Sequence, residues 1–182
     1  MKQWIIGSLV GALLIFTWQF ASWTFLNLHH PQQKYTPHQD TILAFLSEHL
    51  GADGGFYLPS TPKRATMEEQ QALMEQSIGK PWAQVFYHKA MKDNMNRNML
   101  RGVLINLVVV LLFMWVLQLM QHRSFRSILL ASLAVGLIVF FNEPYTTHIW
   151  FETFDLNASL VDALVSWGLV GIWLGWWMKK EG

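Results

Sequence analysis

The chain has 182 residues, of which 52% are hydrophobic and 14% are charged, and its net charge is +1. Soluble domains carry about 25% charged residues, so this composition argues against a soluble protein, and the lack of a basic stripe argues against nucleic-acid binding. The chain has no cysteine, which excludes disulfides, thiolate metal sites and a cysteine nucleophile.

Four apolar stretches dominate the sequence and indicate membrane spans. A helix needs about 20 apolar residues to cross a hydrocarbon core. We place the spans at residues 1–26, 99–120, 127–141 and 158–178. The third stretch is short enough to be a re-entrant segment instead. The sequence therefore predicts an all-α integral membrane protein, built as a four-transmembrane-helix bundle in the lipid bilayer.

The first apolar stretch raises the question of a cleaved signal peptide. Only Lys2 precedes it as a basic residue, and no small-x-small cleavage pattern follows it. Its apolar run is also longer than the run of about 7–15 residues that is usual in signal peptides. We therefore expect residues 1–26 to be a retained signal anchor.

The positions of lysine and arginine predict the orientation. Arg123 and Arg126 lie in the short connection 121–126, whereas the acidic connection 142–157 has no basic residue. Basic residues in short loops mark the cytoplasmic side of a membrane. We expect both termini to be cytoplasmic, including the tail 179–182, and the acidic connection to lie outside. A bacterial inner membrane is the location we favour.

Residues 27–98 are the one segment outside the spans that is large enough for a folded domain, and we expect it to be small, mainly helical and extracytoplasmic. A capping pattern at Thr36–Gln39 and a stop at Gly51 predict its first helix. A second capping pattern at Thr66–Glu69 predicts a helix that ends at Ile78.

A short strand is predicted at Gly55–Leu58, where Pro59 closes an aromatic-rich run. Residues 82–88 could pair with this strand as a β-hairpin, or they could begin a helix that runs into the second span. The sequence leaves both alternatives open.

Small residues recur at helical spacing in the first and last spans. Such residues let helix backbones approach each other closely in lipid. Packing inside the bundle is the simpler interpretation, and an interface with a protein partner or a second copy is the alternative. The residues concerned are Gly7, Gly11, Gly168, Gly171 and Gly175.

Asp162 is the most informative single residue. It lies about one turn inside the last span, where an ionisable group needs a partner or water and indicates function. Gln19 and Asn106 are placed at similar depths in their own spans. We predict that the three side chains form an intramembrane polar cluster that could hold a proton, an ion or a ligand headgroup.

Histidines and acids also gather near the predicted outer end of the bundle. Imidazole and carboxylate together are ligands for zinc, copper or iron. The spacing matches no established ligand motif, so solvated side chains are the simpler interpretation. The candidate metal ligands are His29, His30, His148, Glu143, Glu152 and Asp155.

No enzyme motif is present, and whether the protein is an enzyme stays open. We favour a non-catalytic accessory subunit or assembly component of a larger membrane complex, because the outer domain is too small to bury much core. The alternative is a membrane protein that binds a metal, haem, a quinone or an ion at the outer end of its bundle. That alternative predicts that Asp162 and the outer histidines converge on one pocket.

Overall fold

The structure is a computed structural model that describes residues 2–179. Within that range the chain is mostly helical, with four helices long and apolar enough to span a membrane. The chain divides into a bundle unit, made of residues up to Lys34 and from Asn94 onward, and an inserted unit, Tyr35–Asp93. Of the predicted tail 179–182, residue 179 ends the last helix and the others lie outside the described residues.

Along the chain, the bundle unit begins, is interrupted once by the inserted unit, and then continues to the end. A 3-10 turn (His30–Gln32) follows the first helix, and a π turn (Phe141–Tyr145) joins the fifth helix to the sixth. The other elements are α1 (Lys2–Thr24), α2 (Gln39–Leu50), β1 (Gly54–Leu58), α3 (Met67–Ser77), β2 (Ala83–Tyr87), α4 (Met95–Gln118), α5 (Phe125–Phe140), α6 (Thr146–Trp150) and α7 (Leu156–Lys179).

The bundle is organised around α1 and α7. Helix α1 packs against both α4 and α7, and α7 also packs against α5. Because lipid is as apolar as a leucine side chain, van der Waals packing and hydrogen bonds hold these helices together. The buried core consists of Ile15, Val110, Phe113, Met114, Leu117, Ile128, Trp167, Val170 and Leu174.

The third apolar helix is longer than predicted. We expected it to end at Phe141 and a loop to follow over 142–157, but helix continues through the π turn and α6 to Trp150. Pro144 has no N–H and crowds the carbonyl of the preceding turn, so the wider turn accommodates it. With 26 residues this helix is long enough to cross a membrane fully.

The glycines of α1 and α7 face other helices of the same chain. A Cβ atom added to any of them would lie within 4 Å of a neighbouring side chain. Packing inside the bundle therefore accounts for these small residues without a second molecule. The pairs are Gly7 with Met114, Gly11 with Val110, Gly168 with Leu133, Gly171 with Ser132 and Gly175 with Phe125.

The inserted unit contains a two-stranded antiparallel sheet, in which Gly54 of β1 pairs with Tyr87 of β2. This pairing decides between the two alternatives for residues 82–88 in favour of a strand. The capping box is confirmed, since Thr66 accepts from the Glu69 N–H and Glu69 accepts from the Thr66 N–H. This unit is shorter than the predicted domain 27–98.

The first predicted capping pattern is wrong. Thr36 accepts a hydrogen bond from the His38 N–H in a local turn, and α2 begins only at Gln39, without a side-chain cap. A threonine hydroxyl bonds readily to the backbone two residues onward, and this turn competes with the helix. The predicted stop is confirmed, because Gly51 ends α2 with a φ of 65°.

The close contact between α5 and α7 predicts a difference between two Gly→Ala substitutions. A Cβ at Gly136 would lie 2.8 Å from the Ala163 carbonyl oxygen, whereas one at Gly168 would lie 3.7 Å from Leu133. We expect Gly136→Ala to lower the free energy of unfolding by about 1–3 kcal/mol through overpacking. Gly168→Ala should be neutral or stabilising, because alanine favours helix.

Thermal unfolding of both variants in the same mild detergent measures this difference. Equal melting temperatures for the two variants would contradict the close approach of α5 and α7 at Gly136.

Candidate functional site

The connection after α1 folds back over the end of that helix. Asn27 has a φ of 51°, in the left-handed region that asparagine tolerates better than most residues. The Leu28 N–H then donates to the Ser22 carbonyl, and the next residue, His29, is only 5% exposed. We call this end of the bundle, where α1 and α6 finish and α4 and α7 begin, the His29 end.

His29 lies between two carboxylates. Its Nδ1 is 2.7 Å from Asp155 Oδ2, and its Nε2 is 3.0 Å from Asp162 Oδ2. When both carboxylates are ionised they can only accept hydrogen bonds, so both ring nitrogens then donate and the imidazole carries a positive charge. The ring also stacks on Trp23, with centroids 4.0 Å apart and an interplanar angle of 5°, an arrangement that favours a cation on the indole face.

The environment of His29 acts on its pKa in two directions. Burial lowers the pKa, because it disfavours the charged ring. Hydrogen bonds and charge attraction from Asp155 and Asp162 raise it and outweigh burial, so that the pKa lies above its ordinary value of 6.5. The charged form of His29 is therefore the form that the folded bundle favours.

Asp162 is fixed by two donors on other elements. Trp18 Nε1 of α1 donates to Asp162 Oδ1 over 3.0 Å, and His29 donates to Oδ2. A carboxylate inside an apolar span needs such compensation, because lipid offers it no solvation. The aspartate therefore links α7 to α1 and to the connection that follows α1.

The other two members of the predicted cluster are bonded to each other. Asn106 Nδ2 of α4 donates to Gln19 Oε1 of α1 over 3.0 Å. Asn106 is 8% exposed, and its Oδ1 accepts no hydrogen bond from the described residues. This oxygen has no protein donor, so a ligand or water that reaches it would gain a hydrogen bond.

A cavity of about 520 Å³ lies between these groups. Its volume is in the range of about 300–1,000 Å³ that is usual for small-molecule sites. Ser166, one turn after Asp162 on α7, is 5% exposed and lines this cavity, and its hydroxyl has no partner among the described residues. The cavity lining includes Gln19, Trp23, Asn106, Phe140, Asp162 and Ser166.

The structure brings together only part of the predicted metal set. His29 and Asp155 are in direct contact, whereas His30, Glu143 and Glu152 are exposed. The side chain of His148 accepts from the Thr153 N–H over 3.1 Å and stays within its own connection.

The candidate metal ligands that the structure describes do not gather around one point. Among the described residues no three His, Asp or Glu side chains could hold one ion. The two carboxylates bond to opposite nitrogens of one imidazole. Since those nitrogens point away from each other, Asp155 and Asp162 do not converge on a common point.

Sequence reasoning missed three residues of the site. The sequence patterns described above do not point to Trp18, Trp23 or Ser166. Helical spacing could have indicated two of them, because Trp23 follows Gln19 by four positions and Ser166 follows Asp162 by four. Each pair therefore shares a helix face, and one member of each pair was already a candidate.

Comparison with protein-family models, with curated proteins and with solved structures finds no match to this chain. The side chains and the cavity at the His29 end are therefore the evidence for function.

The raised pKa of His29 predicts a pH-dependent stability. Since folding raises this pKa, protonation favours the folded state, and the stabilisation is complete below pH 6.5. It is lost as the pH rises through the higher pKa of the folded protein. We expect the melting temperature of the wild type to fall over that window and that of His29→Gln to fall much less.

This pH dependence is tested by thermal unfolding in mild detergent at a series of pH values on both sides of neutral. His30→Gln is the matched control, because it removes an exposed neighbouring histidine and should keep the wild-type pH profile. If His29→Gln kept the wild-type dependence of melting temperature on pH, the contacts of His29 with Asp155 and Asp162 would not couple protonation to folding.

Proposed function

We propose that this protein binds a small amphiphilic molecule in the cavity at the His29 end. The observation that carries the proposal is a pair of polar groups without partners beside Asp162: the amide oxygen of Asn106 and the hydroxyl of Ser166, on two largely buried residues that line one cavity. In a mainly apolar cavity, such groups gain a hydrogen bond when a ligand supplies a partner.

The shape and the walls of the cavity support an amphiphile. Ile15, Phe140 and Trp167 line it with apolar surface, while its polar side chains include two bonded pairs, Gln19 with Asn106 and His29 with Asp162. Small-molecule sites combine mainly apolar walls with a few polar groups that orient the ligand. Helices α1, α4, α5 and α7 all contribute, so the bundle itself shapes the site.

A cavity-filling substitution tests this function. Ala163→Leu places three additional carbon atoms at a cavity-lining position, whereas Ala134→Leu makes the same change at an exposed position on α5. We expect native mass spectrometry of protein purified gently from its own membranes to show a stoichiometric small-molecule adduct on the wild type and on Ala134→Leu. Ala163→Leu should lose the adduct and keep a cooperative unfolding transition.

Failure of the wild type to carry any adduct, or its retention by Ala163→Leu, would contradict the proposal.

Orientation and location are part of the same proposal. Both termini lie in the cytoplasm, and the inserted unit and the His29 end face the outside of a bacterial inner membrane. The support is the basic connection between α4 and α5, which carries Arg123 and Arg126, opposite an acidic connection before α7. A ligand would then enter from the extracytoplasmic side or from the outer leaflet.

The lack of native cysteine makes the orientation directly testable. Single cysteines are introduced at Ser60, in the inserted unit, and at Gln121, between α4 and α5, where both native residues are exposed. We expect a membrane-impermeant maleimide to label Ser60→Cys in intact cells, and Gln121→Cys only after the membrane is permeabilised. The reverse pattern would invert the orientation.

A second candidate function is that of an accessory or assembly component. The observation that favours it is the small core of the inserted unit. Among the residues that the structure describes there, Tyr87 is the one buried apolar residue. On α2, Ile42, Leu43 and Phe45 are 47%, 57% and 59% exposed, which is typical of a face that another surface covers. A stoichiometric protein in the same purification would support this candidate.

A further inference from the structure

The cluster of His29, Asp155 and Asp162 carries a net negative charge. Asp155 and Asp162 supply two carboxylates, and the protonated His29 supplies one positive charge. Among the described residues that line the cavity, none is a lysine or an arginine. One negative charge is therefore left without a cation, in a region where lipid and apolar side chains provide little screening.

Three residues that line the cavity have oxygen atoms that could accept a hydrogen bond from an N–H donor. Asn106 Oδ1 is an acceptor without a donor, and the Ser166 hydroxyl oxygen can accept as well. Each Asp162 oxygen already accepts one hydrogen bond and retains a further lone pair. A ligand with several N–H donors could bond to all three residues. A ligand with only acceptors could bond to the Ser166 hydroxyl and to the free N–H groups of the Gln19 and Asn106 amides, but it would meet the Asp162 carboxylate without a hydrogen bond.

The aromatic walls add an attraction for positive charge. Trp23, Phe140 and Trp167 line the cavity, and aromatic faces attract cations, indole most strongly. The same rings provide apolar contact for the body of a ligand. An anion would face both the excess carboxylate charge and the negative faces of these rings.

We infer that the cavity selects an organic ammonium ion, a protonated amine attached to an apolar body, with its N–H groups directed to Asp162, Asn106 and Ser166. This inference rests on the proposed binding function and names the ligand class of the same site. The amine is either a free small molecule or the headgroup of an aminolipid.

Three probes of one shape test the inference. They are 1-aminoadamantane, which is a cation at neutral pH, the neutral 1-adamantanol and the anionic adamantane-1-carboxylate. The full-length protein is placed in nanodiscs of phosphatidylcholine, whose headgroup has no N–H donor, and binding is measured by calorimetry with empty nanodiscs subtracted. We expect the ammonium to bind at least about tenfold more tightly than the alcohol, as for a charge paired in a partly buried site.

Two variants assign the selectivity to Asp162. Asp162→Asn should reduce the preference for the ammonium over the alcohol about tenfold and leave the alcohol affinity nearly unchanged. Glu152→Gln is the matched control, because it removes one exposed acid outside the cavity and should keep the wild-type ranking. The order in which the wild type binds the three probes is measured without any variant. The test therefore stays decisive even if Asp162→Asn destabilises the protein.

The outcomes separate this inference from the proposed function. Equal binding of the three probes, or tighter binding of the carboxylate, would overturn the inference and still support a ligand cavity. If no probe bound, the inference would fail, and the cavity-filling experiment would decide the function independently. Where the ammonium does bind, competition by phosphatidylethanolamine in the discs identifies a lipid headgroup, and lack of competition identifies a free amine.

Discussion

The arrangement at the His29 end depends on one constraint: a buried imidazolium must have its charge compensated. His29 meets this requirement with Asp155 on one nitrogen and Asp162 on the other. One partner precedes α7 and the other lies about two turns inside it. The pairing therefore fixes the connection after α1 against α7, and removal of either carboxylate would leave His29 with one charged partner and one ring nitrogen without its hydrogen-bond partner.

The cavity lies next to the part of the bundle that is packed most closely. Gly136 lets α5 approach the backbone of α7, and the buried core begins at Ile15 and Trp167, which also line the cavity. Near the His29 end, polar side chains and the π turn at Pro144 take the place of such packing. The closely packed region therefore supports the residues that line the cavity.

Some of the site could be predicted from single residues. Polar side chains inside apolar runs are rare, and a helix rises by about 1.5 Å per residue, so the depth of Gln19, Asn106 and Asp162 followed from their distance to the span ends. The hydrogen bond between Asn106 and Gln19 agrees with that estimate of depth. The metal interpretation stays a prediction. Residue types alone do not tell which way two carboxylates approach one histidine ring, and here they bond to opposite nitrogens.

The sequence by itself determined the membrane class, the number of apolar helices, the capping box at Thr66 and the residues that needed polar partners. Only the tertiary structure decided which partners they find. Asp162 bonds to a histidine 133 positions away, and this contact depends on the chain reversal at Asn27 and on the rotation of α1 against α7. Local patterns determine helices and depth because those depend on neighbouring residues, whereas the phase between two packed helices depends on all the side chains between them.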